Sequence, residues 1–265
     1  MSLSPETSHA LAVLLGGYAL GEFVFQSSRY PRRSTKGTRV LLTLRHALVH
    51  AGLVWVLLGI RNAWVPPASV FLVHLVTRGL ADRQQNESAR NFAFRQLAHG
   101  LVLLGLAFWL SRTIPSGLNG SAWMGTPWDL RTAEYYRAIG LLAGFIATVE
   151  GGAQLIARFV RPYLDELENA LSTGPSTTLR PIRGLTNAGR VIGKLERSLV
   201  FLLVLVGQPG GIGFLIAAKS IFRFGELKET ANRMESEYII IGTLASFGYA
   251  VAAAYATSKL VGAIP

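Results

Sequence analysis

The chain has no cysteine among its 265 residues, only 15% of them are charged, and acids are few, 15 against 26 lysines and arginines. Without cysteine there is no disulfide, no thiolate metal ligand and no cysteine nucleophile. Charge this sparse does not suit the surface of a typical soluble domain. Familiar catalytic signatures are also missing. There is no G-x-S-x-G, no H-E-x-x-H, no Walker-type phosphate loop and no dinucleotide fingerprint behind a strand, which leans against an enzyme of a common class. Ahead of the first apolar run stand Glu6 and His9 but no Lys or Arg, so the basic n-region of a cleavable signal is lacking. The first span is therefore expected to be retained, with the N-terminus extracytoplasmic.

What is present is apolar: half of the residues are hydrophobic and the mean hydropathy is +0.36. That composition predicts an all-α, polytopic transmembrane helical bundle. Five spans are expected over Ala10 to Phe25, Val40 to Ile60, Ala68 to Leu80, Phe92 to Leu110 and Tyr136 to Phe159. A segment with a surface helix over Arg161 to Leu171 follows, and the last span is Tyr238 to Leu260, where Gly242, Ser246, Ala250 and Ala254 form a small-residue packing stripe. This gives a five-span bundle over 1–160, a basic cytoplasmic connector over 161–197 and a C-terminal two-span unit over 198–265. Turn residues Trp64, Pro66 and Pro67 are expected between the second and third spans, at the outer interface.

The net charge of +11 is spread between apolar runs. Arg29, Arg32, Arg33, Lys36 and Arg39 follow the first span with no acid among them, as the positive-inside rule requires of a cytoplasmic loop. The partners expected are the lipid bilayer, further copies of the chain and an acidic cytoplasmic ligand; sequence-specific nucleic-acid binding is not expected.

One apolar run, Leu199 to Ala218, is interrupted at its middle by Gly207, Gln208, Pro209, Gly210 and Gly211. Broken backbone at membrane depth is tolerated only against protein or a wet cavity. A full crossing gives seven spans; a reversal at the break gives six spans and a re-entrant hairpin. The expectation favours seven, because each half of a hairpin would have only about ten residues, roughly 15 Å of helix, with which to bury itself. At the ends of the run, Glu196, Arg197, Lys219, Arg223 and Glu226 read as charged collars, with Glu196 or Glu226 pairing a basic neighbour at a gate or subunit contact.

Counting depth at 1.5 Å per residue places Glu22, His46, His50, His74, His99 and Glu150, drawn from five spans, in one slab of the inner leaflet. Ionisable side chains there face a bundle interior or water. His46 and His50, spaced i, i+4, share one helix face, as a metal pair requires. Arg45, Arg78 and Arg95 at similar depth make the layer basic, which favours an anionic ligand over a divalent cation. The leading expectation is a channel or transporter for an ion or small anionic solute, with these residues and Gln208 along its pathway and no obligatory cofactor. Two alternatives stand beside it: an integral-membrane metal-dependent hydrolase built on His46 and His50, and a membrane sensor or effector gated by an acidic ligand.

The segments EFVFQ (Glu22 to Gln26), HALVH (His46 to His50), VHLV (Val73 to Val76) and RQLAH (Arg95 to His99), with GRVIGKLER and EYIIIGTLASF further on, resemble a family of bacterial polytopic membrane proteins grouped as a domain of unknown function, number thirty-three-oh-seven. The resemblance spans most of the chain. This chain differs from the family pattern at Arg78 and Arg95, where the family has acids, and at Tyr18, where it has a histidine. The resemblance implies a bacterial inner-membrane protein and supplies no activity.

Overall fold

The computed structural model describes residues 4–25, 36–59, 64–81, 88–113, 133–173, 188–224 and 233–265, and among the described residues every regular element is a helix. In chain order these are α1 (Pro5–Ala19), α2 (Lys36–Leu58), α3 (Val65–Ala81), α4 (Ala89–Thr113), α5 (Ala133–Ile146), α6 (Gly152–Thr173), α7 (Ala188–Leu205), α8 (Gly211–Phe224) and α9 (Arg233–Gly262). Two π-helical turns, Leu20–Val24 after α1 and Ala147–Gly151 before α6, complete the set. The described residues form two compact units, 1–147 with 256–265 and 148–255.

Local chemistry sets the helix ends. Ser4 caps α1, its hydroxyl accepting the Thr7 N–H at 3.3 Å, with Pro5 and Glu6 in the first turn where the missing N–H and the negative charge both suit. Gly59, at φ +64°, ends α2 in the left-handed conformation that glycine adopts without penalty. Pro66 and Pro67 were expected in a turn; they lie instead within the first turn of α3, where proline costs no hydrogen bond.

Within the first unit α1 is the central element, packing on α2, α4 and α5, while α2 packs along α3. Ala10, Val13 and Leu14 of α1, Val54 of α2, Leu103 of α4 and Tyr136 of α5 share one buried core. A helix enclosed this way is apolar around most of its circumference, as α1 is. The approach of α1 to its neighbours is set by glycines. A Cβ on Gly17 would lie 2.7 Å from the Val54 side chain and 3.1 Å from its backbone, and one on Gly16 would lie 2.5 Å from Ile139.

Among the described residues, four helical segments are long and apolar enough to cross a bilayer: Val40–Leu58, Ala89–Thr113, Ala133–Ala170 and Ser236–Gly262. Val65–Thr77 and Gly211–Ile221 are shorter apolar helices. Large apolar side chains face outward along these helices, Leu101 being 69% and Phe94 74% exposed. Lipid would solvate such a surface without cost, whereas water would not.

In the second unit, α6 continues without a break past Phe159 and through Pro162, so the surface helix expected as a separate piece is its extension. The expected stripe on α9 is buried at Ser246, Ala250 and Ala254, and Gly242 faces Val160 of α6.

The central apolar run does not form one helix. Gly207, at φ +73°, turns the chain, and α8 runs back along α7. Lys219 Nζ meets Glu196 Oε2 at 2.8 Å, and a Cβ on Gly211 would lie 2.9 Å from Leu203. Pairing 196 with 219 and 203 with 211 is an antiparallel register. The run is thus two helices in a hairpin, where the seven-span expectation had one continuous helix. The physical reason is the Gly-Gln-Pro-Gly-Gly sequence. It supplies a left-handed glycine and a proline at the point of reversal, and the short arms bury one face against α9, with Val200, Phe247 and Ala250 at the contact.

Candidate metal centre

Four of the five histidines lie in the first unit's interior beside Glu22. The fifth, His9, stacks on Tyr136 at 4.3 Å. The i, i+4, i+8 series His46, His50, Val54 runs along the face of α2 that receives α1, so the two histidines inherit the close approach of those helices. A Cβ on Gly21 would sit 2.6 to 2.8 Å from atoms of the His50 ring, so glycine is what lets the π-helical turn rest against that imidazole. The turn closes with the Phe25 N–H donating to the Leu20 carbonyl, five residues back, at 2.9 Å. Such an extra residue per turn re-aims side chains and is common at functional sites. Here the residue it carries inward is Glu22, which is 3% exposed.

The Glu22 carboxylate touches three imidazoles and a guanidinium. Its Oε2 lies 3.2 Å from His46 Nε2, 3.7 Å from His50 Nε2 and 3.9 Å from His74 Nε2, while Oε1 faces Arg95 Nη2 at 3.6 Å. His46 Nε2 and His50 Nε2 are 3.0 Å apart. The donor atoms of Glu22, His46, His50 and His74 all lie within 4.8 Å of one another. A tetrahedral zinc-type ion with bonds of about 2.0–2.1 Å holds its ligand atoms about 3.3–3.4 Å apart. The measured separations bracket that value, so small side-chain adjustments would close the shell.

The hydrogen bonds behind the imidazoles fix which nitrogen faces inward. His74 Nδ1 lies 3.0 Å from the Val70 carbonyl. A carbonyl only accepts, so Nδ1 carries the proton and the neutral ring presents a bare lone pair at Nε2. That Nε2 is buried and makes no hydrogen bond. A backbone carbonyl holding the far nitrogen is the usual support of a metal-ligating histidine. His99 repeats the device, with Nδ1 on the Arg95 carbonyl at 2.8 Å and Nε2 3.3 Å from the Thr77 hydroxyl. Its ring lies 4.6 Å from that of His74, outside the four-donor group. Tyr18 covers the cluster, its ring 5.2 to 5.9 Å from those of His50, His74 and His99, and its hydroxyl donates to Gln96 Oε1.

Glu22, His46, His50, His74 and His99 thus come together as their depths in the sequence imply. Glu150 belongs to the second unit, where it binds Lys194 at 2.6 Å. Gln208 stands exposed at the hairpin's reversal, and Glu196 pairs Lys219 across that hairpin within one chain. The Arg223 side chain and the whole of Glu226 lie outside the described residues. Arg197, read as an interfacial collar, is instead 4% exposed. Its Nε and Nη2 both donate to the Val149 carbonyl, at 3.2 and 3.0 Å, and Nη1 donates to the Ser246 hydroxyl at 3.1 Å. Val149 lies in the second π-helical turn, and an arginine is well placed to satisfy a carbonyl in such irregular backbone.

Sequence reasoning missed the contributions of Gly21, Tyr18, Gln96 and Thr77. Only the Gly17-x-x-x-Gly21 spacing, a small-residue pair on one helix face, could have pointed to the first of them. Comparisons with family models, curated proteins and solved structures give no match to this chain.

Proposed function

We propose that this chain is an integral-membrane metalloprotein that holds one divalent ion on Glu22, His46, His50 and His74 and uses it for hydrolysis. The observation that carries the reading is the convergence of three imidazole nitrogens and one carboxylate oxygen, all from buried residues, within 4.8 Å of one another. Imidazole with a single carboxylate suits zinc among the common cations, because calcium and magnesium prefer all-oxygen shells. Held by all four donors a zinc-class ion would be closed, so activating a water at neutral pH would require one of them to leave or a fifth position to open.

The chain's own groups then have defined tasks. His46 and His50 fix one edge of the ligand set from a single helix face. Val70 holds the His74 tautomer, and Arg95 holds the second oxygen of Glu22 so that the first faces the imidazoles. His99, beside His74 but outside the ligand set, is the group available to accept and return a proton. The resemblance to bacterial inner-membrane proteins and the run of cations over 29–39 in the sequence support a bacterial inner-membrane location with the N-terminus outside.

Transport of a small ion through the bundle is the second reading. It is favoured by the burial of these ionisable groups inside a helical unit with bilayer-length apolar segments. One experiment separates the two. Protein purified in detergent with zinc present should retain about one equivalent per chain and hydrolyse a chromogenic ester in a chelator-sensitive way. Retained metal with no hydrolysis but zinc uptake into proteoliposomes would favour transport. Less than about a tenth of an equivalent would sink the metal reading itself.

A further inference from the structure

We infer that the α7–α8 hairpin is a re-entrant membrane element that dips into one leaflet and returns to the side it came from, its partner being the acyl chains of that leaflet. Three independent features of the second unit point there.

The first is backbone satisfaction at the reversal. The N–H groups of Gly207 and Gln208 donate to the Val204 and Leu203 carbonyls at 3.1 and 2.8 Å. The carbonyls of Gln208, Pro209 and Gly210 accept from the N–H groups of Gly211, Ile212 and Gly213 at 3.0 to 3.1 Å, while Pro209 has no N–H to satisfy. These bonds reduce the number of backbone groups that hydrocarbon, which offers no hydrogen bonds, would leave unpaired.

The second is the distribution of polarity. One face of the hairpin packs on α9 through Ile212 and Leu215. The other carries Leu199, Leu202, Val206 and Phe214, all exposed, the last at 81%. Charge appears only at the base, where Glu196 and Lys219 pair at 2.8 Å and face each other at the same height. An ion pair at one level on both arms places that level at a water interface.

The third is length. From Glu196 to Leu205 is nine helical steps and from Lys219 back to Gly211 is eight, about 12–14 Å at 1.5 Å per step. With the turn added this reaches about half of a 30 Å hydrocarbon core and stops there.

The native chain has no cysteine, so single cysteines can be read without further change to the protein. Arg190→Cys at the start of α7, Ser220→Cys near the end of α8 and Gln208→Cys at the tip would be made in the full chain. Each would be treated with a membrane-impermeant maleimide in intact cells and in inverted vesicles of the expression host. Arg190 and Ser220 should label in the same preparation and be silent in the other, and Gln208 should be silent in both until detergent is added. Arg190 and Ser220 labelling in opposite preparations would mean that the segment crosses, and would overturn the inference. So would a tip that labels as fast as the ends, which would place the hairpin in water. Gly210→Cys, where an added side chain meets open space, is the second tip position should the Gln208 variant fail to fold. A bimane attached there should be quenched by lipids carrying a nitroxide deep in the acyl chain. Absence of that quenching would equally overturn the inference.

Discussion

Gly21 is the residue whose side chain, by being absent, makes the four-donor cluster possible. A methyl group there meets the His50 ring at 2.6 to 2.8 Å, so either the turn carrying Glu22 lifts or the imidazole tilts. Overpacking of this kind costs about 1–3 kcal/mol, and a supporting change of this type weakens metal binding by about 10–100-fold. Gly21→Ala should show both effects in thermal unfolding and zinc titration, whereas Gly52→Ala, with nothing within 4 Å of the added carbon, should show neither. Wild-type behaviour of Gly21→Ala would mean that the close approach of the π-helical turn to His50 is unimportant. Glu22→Gln keeps the shape but removes the charge that the imidazoles and Arg95 face. Zinc at about 100 times its dissociation constant should stabilise the native protein by about 2.7 kcal/mol, and that increment should vanish in the Gln variant. An undiminished increment would exclude Glu22 as a ligand.

At the scale of elements, each π-helical turn carries an acid, and each is locked by a residue from another helix. In the first unit the lock is the contact of Gly21 with His50. In the second it is Arg197, which gives three hydrogen bonds to Val149 and Ser246, seated beside Gly152, whose Cβ would lie 2.8 Å from the arginine Cδ. Arg197→Met removes donors from a buried carbonyl and should destabilise the protein by about 1–3 kcal/mol. Arg197→Lys should not restore this loss, because a single ammonium cannot reach Val149 and Ser246 in the same fork geometry. Full rescue by lysine in chemical or thermal unfolding would contradict the assignment. In the sequence the first lock showed only as the Gly17–Gly21 spacing and the second not at all, because Arg197 stands at the edge of an apolar run and resembles any interfacial cation. A π-helical turn leaves no compositional mark: Leu-Gly-Glu-Phe-Val and Ala-Thr-Val-Glu-Gly read as ordinary helix. The hairpin was half legible. Gly207 and Pro209 announced a break, but whether the chain went on or turned back depended on the Glu196–Lys219 pair, which joins residues 23 apart.

For the whole molecule, helical class and long apolar segments followed from composition alone, because bilayer-length runs with little charge have few other uses. The shared depth of Glu22, His46, His50, His74 and His99 was also readable, since rise per residue fixes height. Azimuth was not, because the direction each side chain takes around its helix depends on packing by α1, the enclosed element. That is why the arginines suggested an anion layer, whereas in the fold the donor atoms of Glu22, His46, His50 and His74 lie within 4.8 Å of one another, with Arg95 on the outer oxygen of Glu22. The measurement that tests this most directly is X-ray absorption at the zinc edge on the purified, zinc-loaded chain. Three imidazoles and one carboxylate predict a four-coordinate nitrogen and oxygen shell at about 2.0–2.1 Å, with the outer-shell scattering of histidine rings, and loss of ring scattering in His50→Ala. Protein that retains no zinc, or a shell without imidazole scattering, would contradict the account.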